Sequence, residues 1–291
     1  MRNLRLTPRL CLSVIAGSGL IVLSSASAET VTIEPVKDNT LYEDPSGQTS
    51  NGAGEGIFAG VTGMGSIRRA VLAFDVAGNV PAGSTINSVE LTLRMSMTIA
   101  GPQDIALRRL TSDWGEGDSN ATFGGGGAGT QAEQGDATWL HTFFPDQFWN
   151  NEGGDFVATD SAVETVAFEG FYTWGSTEQM LADVQSWLDK PDNNFGWILI
   201  GNESTSSTAK RFDSREHPVP ENRPKLTIDF TPPAEPCSGD INDDNEVNVS
   251  DLLALLSAWG PCADCPEDLN GDDEVNVTDL LELLGNWGPC Q

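Results

Sequence analysis

The most constraining feature of the chain is a twelve-residue segment that occurs twice near its end. Asp240-Ile-Asn-Asp-Asp-Asn-Glu-Val-Asn-Val-Ser-Asp251 returns 28 residues later as Asp268-Leu-Asn-Gly-Asp-Asp-Glu-Val-Asn-Val-Thr-Asp279. In each copy, oxygen-bearing side chains fill positions 1, 3, 5, 7, 9 and 12. These are Asp240, Asn242, Asp244, Glu246, Asn248 and Asp251, then Asp268, Asn270, Asp272, Glu274, Asn276 and Asp279. A hard cation needs several oxygens at short range, and a tight loop with ligands on alternate residues supplies them from one local segment. The spacing therefore predicts calcium ligands, with Glu246 and Glu274 offering backbone carbonyls and Asn248 and Asn276 acting through water. Magnesium is disfavoured because it dehydrates reluctantly. Position 6, where a sharp turn favours glycine, holds Asn245 and Asp273, which are among the few residue types that tolerate positive φ.

A leucine-rich stretch follows each loop. Leu252, Leu255, Leu256 and Trp259 recur at helical spacing, as do Leu280, Leu283, Leu284 and Trp287, which predicts two short helices with these rows as the core. Leu253 and Leu281 fall off that stripe, where they serve either as partner contacts or as plain exposed leucines.

The formal net charge is −28, and residues 237–291 contain no Lys, Arg or His. Nucleic acid is excluded as a partner, because binding it needs clustered basic charge. Arg2, Arg5 and Arg9, the apolar run Leu10 to Leu23 and the small-x-small triplet Ala26-Ser27-Ala28 predict a secretory signal peptide over 1–28. The expected location is secreted, extracellular or cell-surface, with no membrane span in the mature chain.

Residues 29–232 read as mainly β. Ile86 to Met97 alternates, with Val89, Leu91, Leu93 and Met95 on one face and Glu90, Thr92 and Arg94 on the other, the period of a half-buried strand. Many such short runs separated by Gly, Asn and Pro predict a β-sandwich of the jelly-roll sort. One segment differs. Ser176 and Gln179 have capping-box spacing, and Leu181, Val184, Trp187 and Leu188 then recur at helical spacing up to Pro191, which predicts one helix packed on the sandwich. Residues 111–160 form a long, aromatic-rich and irregular insert, a length that marks a functional or a disordered loop; its aromatic content favours order. Candidate sugar-stacking residues are Trp114, Trp139, His141, Trp149, Tyr172 and Trp174. Arg68, Arg94, Arg108, Lys210 and Arg211 are candidate partners for a uronate. No nucleophile elbow, zinc-protease motif or phosphate loop is present, so no catalytic residue is assigned.

The series Asp38-Asn-Thr-Leu41, Arg69 to Asp75, Ile86 to Leu93, Thr138-Trp139, Gly153-Gly-Asp155, Asn194 to Trp197, Phe212-Asp-Ser-Arg-Glu216 and Arg223 to Leu226 resembles the DNRLRE-type domain, an alginate-type carbohydrate-binding module. The resemblance implies a jelly-roll β-sandwich attached to secreted, polysaccharide-active or surface proteins. After the Pro-rich linker 233–236, residues 237–291 resemble a type I dockerin, a small all-α unit of two EF-hand-like repeats. That resemblance implies two bound calcium ions and docking onto a cohesin domain. The basic residues that many dockerins carry along the helix are absent here.

Four cysteines remain in the mature chain: Cys237, Cys262, Cys265 and Cys290. They allow three pairings. Two-fold symmetry between the repeats favours Cys237–Cys290 with Cys262–Cys265. The expected function is a secreted, non-catalytic polysaccharide-binding protein, its glycan a candidate uronate, with a calcium-dependent docking unit for a cohesin-like or cell-surface partner. The alternatives are a small carbohydrate-active enzyme (a polysaccharide lyase or glycoside hydrolase) and a structural surface protein.

Overall fold

The structure is a computed structural model that describes residues 27–233 and 237–290. The expected signal peptide over 1–28 and the expected linker 233–236 lie almost wholly outside the described residues. The chain divides into two compact units, one covering Ala26–Pro233 and one that includes Ala234–Gln291.

The larger unit is mainly β. Eleven strands form one curled antiparallel sheet: β1 (Glu29–Ile33), β2 (Lys37–Tyr42), β3 (Gly56–Val61), β4 (Ile67–Ala73), β5 (Thr85–Thr98), β6 (Gln103–Arg109), β7 (Ala162–Val166), β8 (Gly170–Trp174), β9 (Trp197–Ile200), β10 (Lys210–Asp213) and β11 (Lys225–Thr231). The order is β1-β11-β5-β10-β3-β4-β9-β6-β7, with β8 also pairing to β5 and β2 to β4. The sheet curls around one core that takes alternate residues from both of its halves. Val89, Leu91, Leu93 and Met95 enter that core from β5, as do Leu226, Ile228 and Phe230 from β11. Their neighbours Glu90, Thr92, Arg94, Lys225 and Thr227 point to the other face, as the two-residue period requires.

Helix α1 (Glu178–Asp189) closes the core with Met180, Val184, Trp187 and Leu188. The expected helix is present, but its cap differs from the predicted box. Thr177 is the N-cap and accepts from the Met180 amide at 3.1 Å. Ser176 instead accepts from the Val89 amide at 3.1 Å, and Gln179 donates to Asp183. Tertiary partners thus claimed the side chains that local spacing assigned to the cap.

The insert builds a second core. Leu41, Val71, Ala73 and Ile198 on the far faces of β2, β4 and β9 pack with Leu110, Trp114, Ala137, Trp139 and Trp149. Strands β4 and β9 are therefore covered on both faces, which accounts for the unbroken apolar runs Ala70 to Ala73 and Trp197 to Ile200. Gly153 has φ +80°, and a Cβ there would lie 2.5 Å from Arg69 Nη1 and 2.7 Å from the Trp139 ring. Glycine is required at this close approach.

The smaller unit is not all-helical. Helices α2 (Val249–Ser257) and α3 (Val277–Gly285) are joined by two short ladders. Glu246–Val247 pairs with Gly288–Pro289, and Gly260–Pro261 pairs with Glu274–Val275. Each repeat's loop thus pairs with the residues that follow the other repeat's helix. The disulfides Cys237–Cys290 and Cys262–Cys265 sit beside these ladders, with Cα separations of 5.4 and 5.8 Å. The core is smaller than the leucine rows suggest. Val247, Leu255, Val275 and Leu283 are buried, and Leu252 and Leu280 partly so. Leu256, Trp259, Leu284 and Trp287 are about half exposed, and Leu253 and Leu281 more so. Two nine-residue helices cannot cover all of their apolar side chains in so short a unit.

The second core yields a prediction. Trp114 is fully buried and its Nε1 donates to the Phe195 carbonyl at 2.9 Å. Trp114→Ala should destabilise the larger unit by about 3–5 kcal/mol, and Trp114→Phe, which chiefly loses the hydrogen bond, by about 1–2 kcal/mol. Chemical denaturation followed by tryptophan fluorescence measures both.

Candidate functional site

The two acidic loops are shaped by their own side chains. In the first, Asp240 accepts from the amides of Asp244 (3.0 Å) and Asn245 (2.7 Å). Asn242 accepts from Asp244 N, and Asp244 from Glu246 N. Asp251 is fully buried and accepts from the amides of Ile241, Asn242 and Asn248. The second loop repeats the pattern. Asp268 accepts from Asp272 N and Asp273 N, Asn270 from Asp272 N, and Asp272 from Glu274 N. Asp279 accepts from Leu269 N, Asn270 N and Asn276 N. Burial pushes the Asp279 carboxyl up, but these amides outweigh it and hold the pKa below the ordinary aspartate value. Asn245 and Asp273, at position 6, both have φ of +66°.

The same residues start the helices. Asn248 and Asn276 are the N-caps of α2 and α3, each in a capping box with Asp251 or Asp279. Helix register and loop closure are therefore one arrangement. Oxygens of Asp240, Asp244 and Asp251 lie within 4.8 Å of one another. An all-oxygen donor set in a loop of this shape suits a hard cation such as calcium.

In the larger unit, the aromatic candidates are mostly occupied by packing. Trp114 and Trp174 are fully buried, and Trp139, Trp149 and His141 nearly so. Trp114, Trp139 and Trp149 belong to the second core, and Trp174 to the first. The Nε1 atoms of Trp149 and Trp174 donate to the carbonyls of Thr138 and Ile105. His141 shares a hydrogen bond with Thr138 Oγ1 at 2.8 Å and meets Phe144 edge to face and Phe148 at a tilt, and burial lowers its pKa. The Tyr172 hydroxyl bonds to the backbone of Ala167 and Phe168. Five of these six rings are thus largely covered by packing, and Tyr172 is partly exposed.

The basic candidates are similarly committed. Lys210 is fully buried and its ammonium donates to the carbonyls of Ala100, Gly101 and Ala167; burial lowers its pKa. Arg68 stacks over Tyr42, and Arg108 pairs with Asp160. Arg94 and Arg211 remain partly exposed on the outer face of β5 and β10, both paired to the buried carboxylate of Asp213 at 2.7 Å. The same face carries Thr92 hydrogen-bonded to Thr173, and the exposed ring of Phe171 opposite Arg94. A cleft of about 200 Å³ lined by Glu55, Asn120, Thr122 and Arg211 adjoins it. This strand face presents hydroxyls, guanidinium groups and one open ring side by side.

A third cluster was not foreseen. Asp38 (β2), Glu116 (insert) and Glu216 (loop after β10) bring carboxylate oxygens within 4.8 Å of one another. Arg215 Nη1 donates to Glu116 at 2.9 Å and to Glu216 at 2.7 Å. Burial, then the neighbouring Glu216 charge, pushes the Asp38 pKa up. Burial, then Glu116, raises that of Glu216 to about 7. The Arg215-Glu216 pair is local in sequence, but nothing local marks Glu116 as its partner.

This cluster has a pH signature. With its pKa raised from 4.5 to about 7, Glu216 keeps a proton in the folded chain that the unfolded chain releases. Stability should therefore fall as pH rises through that window. In chelator, where no divalent cation competes with the proton, Glu216→Gln should show a shallower slope and gain on the parent protein above the window. Urea denaturation on either side of the window measures this; parallel pH profiles would refute it.

No family model matches the chain, and no curated protein matches it.

Proposed function

We propose that the chain is a secreted, non-catalytic polysaccharide-binding protein whose C-terminal unit is a calcium-dependent, dockerin-like docking module. The doubled loop carries this reading. Two copies of one oxygen pattern, each closed by its own amides and each capping a helix, would each hold one hard cation; in the first loop the carboxylate oxygens of Asp240, Asp244 and Asp251 already gather within 4.8 Å. Asp240, Asn242, Asp244 and Asp251 would supply side-chain oxygens to one ion, with Asn248 and the Glu246 carbonyl completing it. Asp268, Asn270, Asp272, Asp279, Asn276 and the Glu274 carbonyl would do so for the other. Bound calcium would offset the loop's clustered negative charge, and the disulfides would limit the unfolded ensemble of a unit with a small core. The half-exposed Leu253, Leu256 and Trp259, repeated as Leu281, Leu284 and Trp287, supply apolar surface for a cohesin-like or cell-surface partner.

For the larger unit, the outer face of β5, β8 and β10 supports glycan binding better than the buried tryptophans do. Phe171 offers a ring for stacking, and Arg94, whose Nη1 pairs with Asp213, suits a uronate carboxylate, whereas Arg211 is already committed to Gly125, Ser96, Asp213 and Glu55. The jelly-roll description and the resemblance to the DNRLRE-type domain agree with a β unit that presents such a face.

Calcium titration by calorimetry should find two C-terminal sites, with Asp240→Ala and Asp268→Ala each removing one. Chelation should lower the helical circular dichroism signal of this unit. Retention of both sites in either variant would sink the assignment. For the glycan face, affinity gels containing alginate should retard the protein, and Phe171→Ala should weaken that retention about fivefold to tenfold, the worth of roughly 1 kcal/mol of ring contact. Release of unsaturated uronate products would instead favour the lyase alternative.

A further inference from the structure

The Asp38, Glu116 and Glu216 cluster lies in the larger unit, outside both repeat loops. Three chain segments far apart in sequence meet there: β2, the insert, and the loop that follows β10. Every carboxylate is held in orientation. The Asp38 amide donates to Glu116 Oε1 at 2.8 Å, and Asp38 Oδ2 accepts from the Arg215 amide at 2.7 Å. Glu116 Oε2 and Glu216 Oε1 share Arg215 Nη1.

Two oxygens are left over. Asp38 Oδ1 and Glu216 Oε2 are buried and accept no hydrogen bond from the described residues. Asp38 itself is 0% exposed. A buried carboxylate oxygen without a donor is costly, because its lost hydration is not replaced. One guanidinium faces three carboxylates here, and without a second cation Asp38 and Glu216 are pushed toward their protonated forms. Lys37, which precedes Asp38, ion-pairs with Asp113 at 2.7 Å and donates to the Trp114 carbonyl, so it reaches Glu116 through its charge and not through a hydrogen bond.

We infer that Asp38, Glu116 and Glu216 form a third calcium site, one that ties the insert to the sheet of the larger unit. The donors are all oxygens, which selects a hard cation over zinc or copper. Their carboxylates come from three backbone segments and are already oriented, and calcium tolerates the irregular geometry that such a set provides, whereas magnesium demands a near-octahedral one. The two unpartnered oxygens, Asp38 Oδ1 and Glu216 Oε2, are the natural first ligands, and Glu116 is the third. The site does not depend on the C-terminal loops binding metal. Its consequence is mechanical: the ion would clamp Glu116, and with it the start of the insert, against β2 and the loop that follows β10.

Counting calcium on the full mature chain tests this. The protein is stripped on a chelating resin, dialysed against calcium chloride and analysed for bound metal. Three ions per chain are expected. The double variant Asp240→Ala/Asp268→Ala should keep one, and Glu216→Gln should lose one while keeping the C-terminal two. Calcium should also raise the melting temperature of the larger unit, read by tryptophan fluorescence, in the double variant but not in Glu216→Gln. If the parent chain binds two ions and the double variant none, the inference is overturned while the docking-unit reading stands. If it binds one, retained by the double variant and lost in Glu216→Gln, the inference holds and the loop assignment fails. Because the double variant leaves the cluster intact, the result does not depend on Glu216→Gln folding well.

Discussion

Strand β5 holds the larger unit together. Its fourteen residues, Thr85–Thr98, pair with β11, β8 and β10. Its period-two pattern sends Val89, Leu91, Leu93 and Met95 inward and leaves Thr92, Arg94 and Ser96 outside. A slip of one residue would exchange these sets and bury a guanidinium in place of a leucine. The core and the candidate glycan face are thus two sides of one register. Asp213 fastens that face from the next strand, its buried carboxylate held between Arg94 and Arg211.

The insert depends on the same sheet but from the other half. Trp114, Trp139 and Trp149 have no core of their own and gain one by covering Leu41, Val71 and Ile198. Arg69 then bridges the two layers. It forks onto Glu203, donates to the Gly153 carbonyl and lies 4.9 Å over the Trp139 ring. Asp155 finishes the turn by accepting from the amides and side chains of Asn150 and Asn151, which hold its carboxyl below the usual range against the opposing effect of burial. Residues that resemble a family motif here serve largely as such fasteners.

In the smaller unit, cohesion comes from exchange between repeats. Val247 and Val275 sit in the short ladders and in the core at once. The amide of Cys262 donates to the Asp273 carbonyl, and that of Cys290 to the Asn245 carbonyl. Neither repeat buries its valine without the other, so a change in one loop should be felt in both.

Patterning within short windows was enough to read the strand of Ile86–Met97, the helix before Pro191 and the position-6 residues with positive φ. Each depends on local sterics or a fixed period. Packing decided the rest. Ser176 lost its capping role to Thr177 because the Val89 amide needed an acceptor. Trp114 and Trp174 look like sugar platforms in a one-dimensional list, yet only the closed sheet shows that their faces are covered. Glu116 becomes a partner of Asp38 and Glu216 through a crossing of segments that no spacing rule encodes. The sequence by itself determined the repeat, its pattern of oxygen-bearing side chains and the β alternation, because those are set by neighbours along the chain. The tertiary structure alone decided which aromatic and charged groups remain available to a ligand, because burial is a property of what lies opposite.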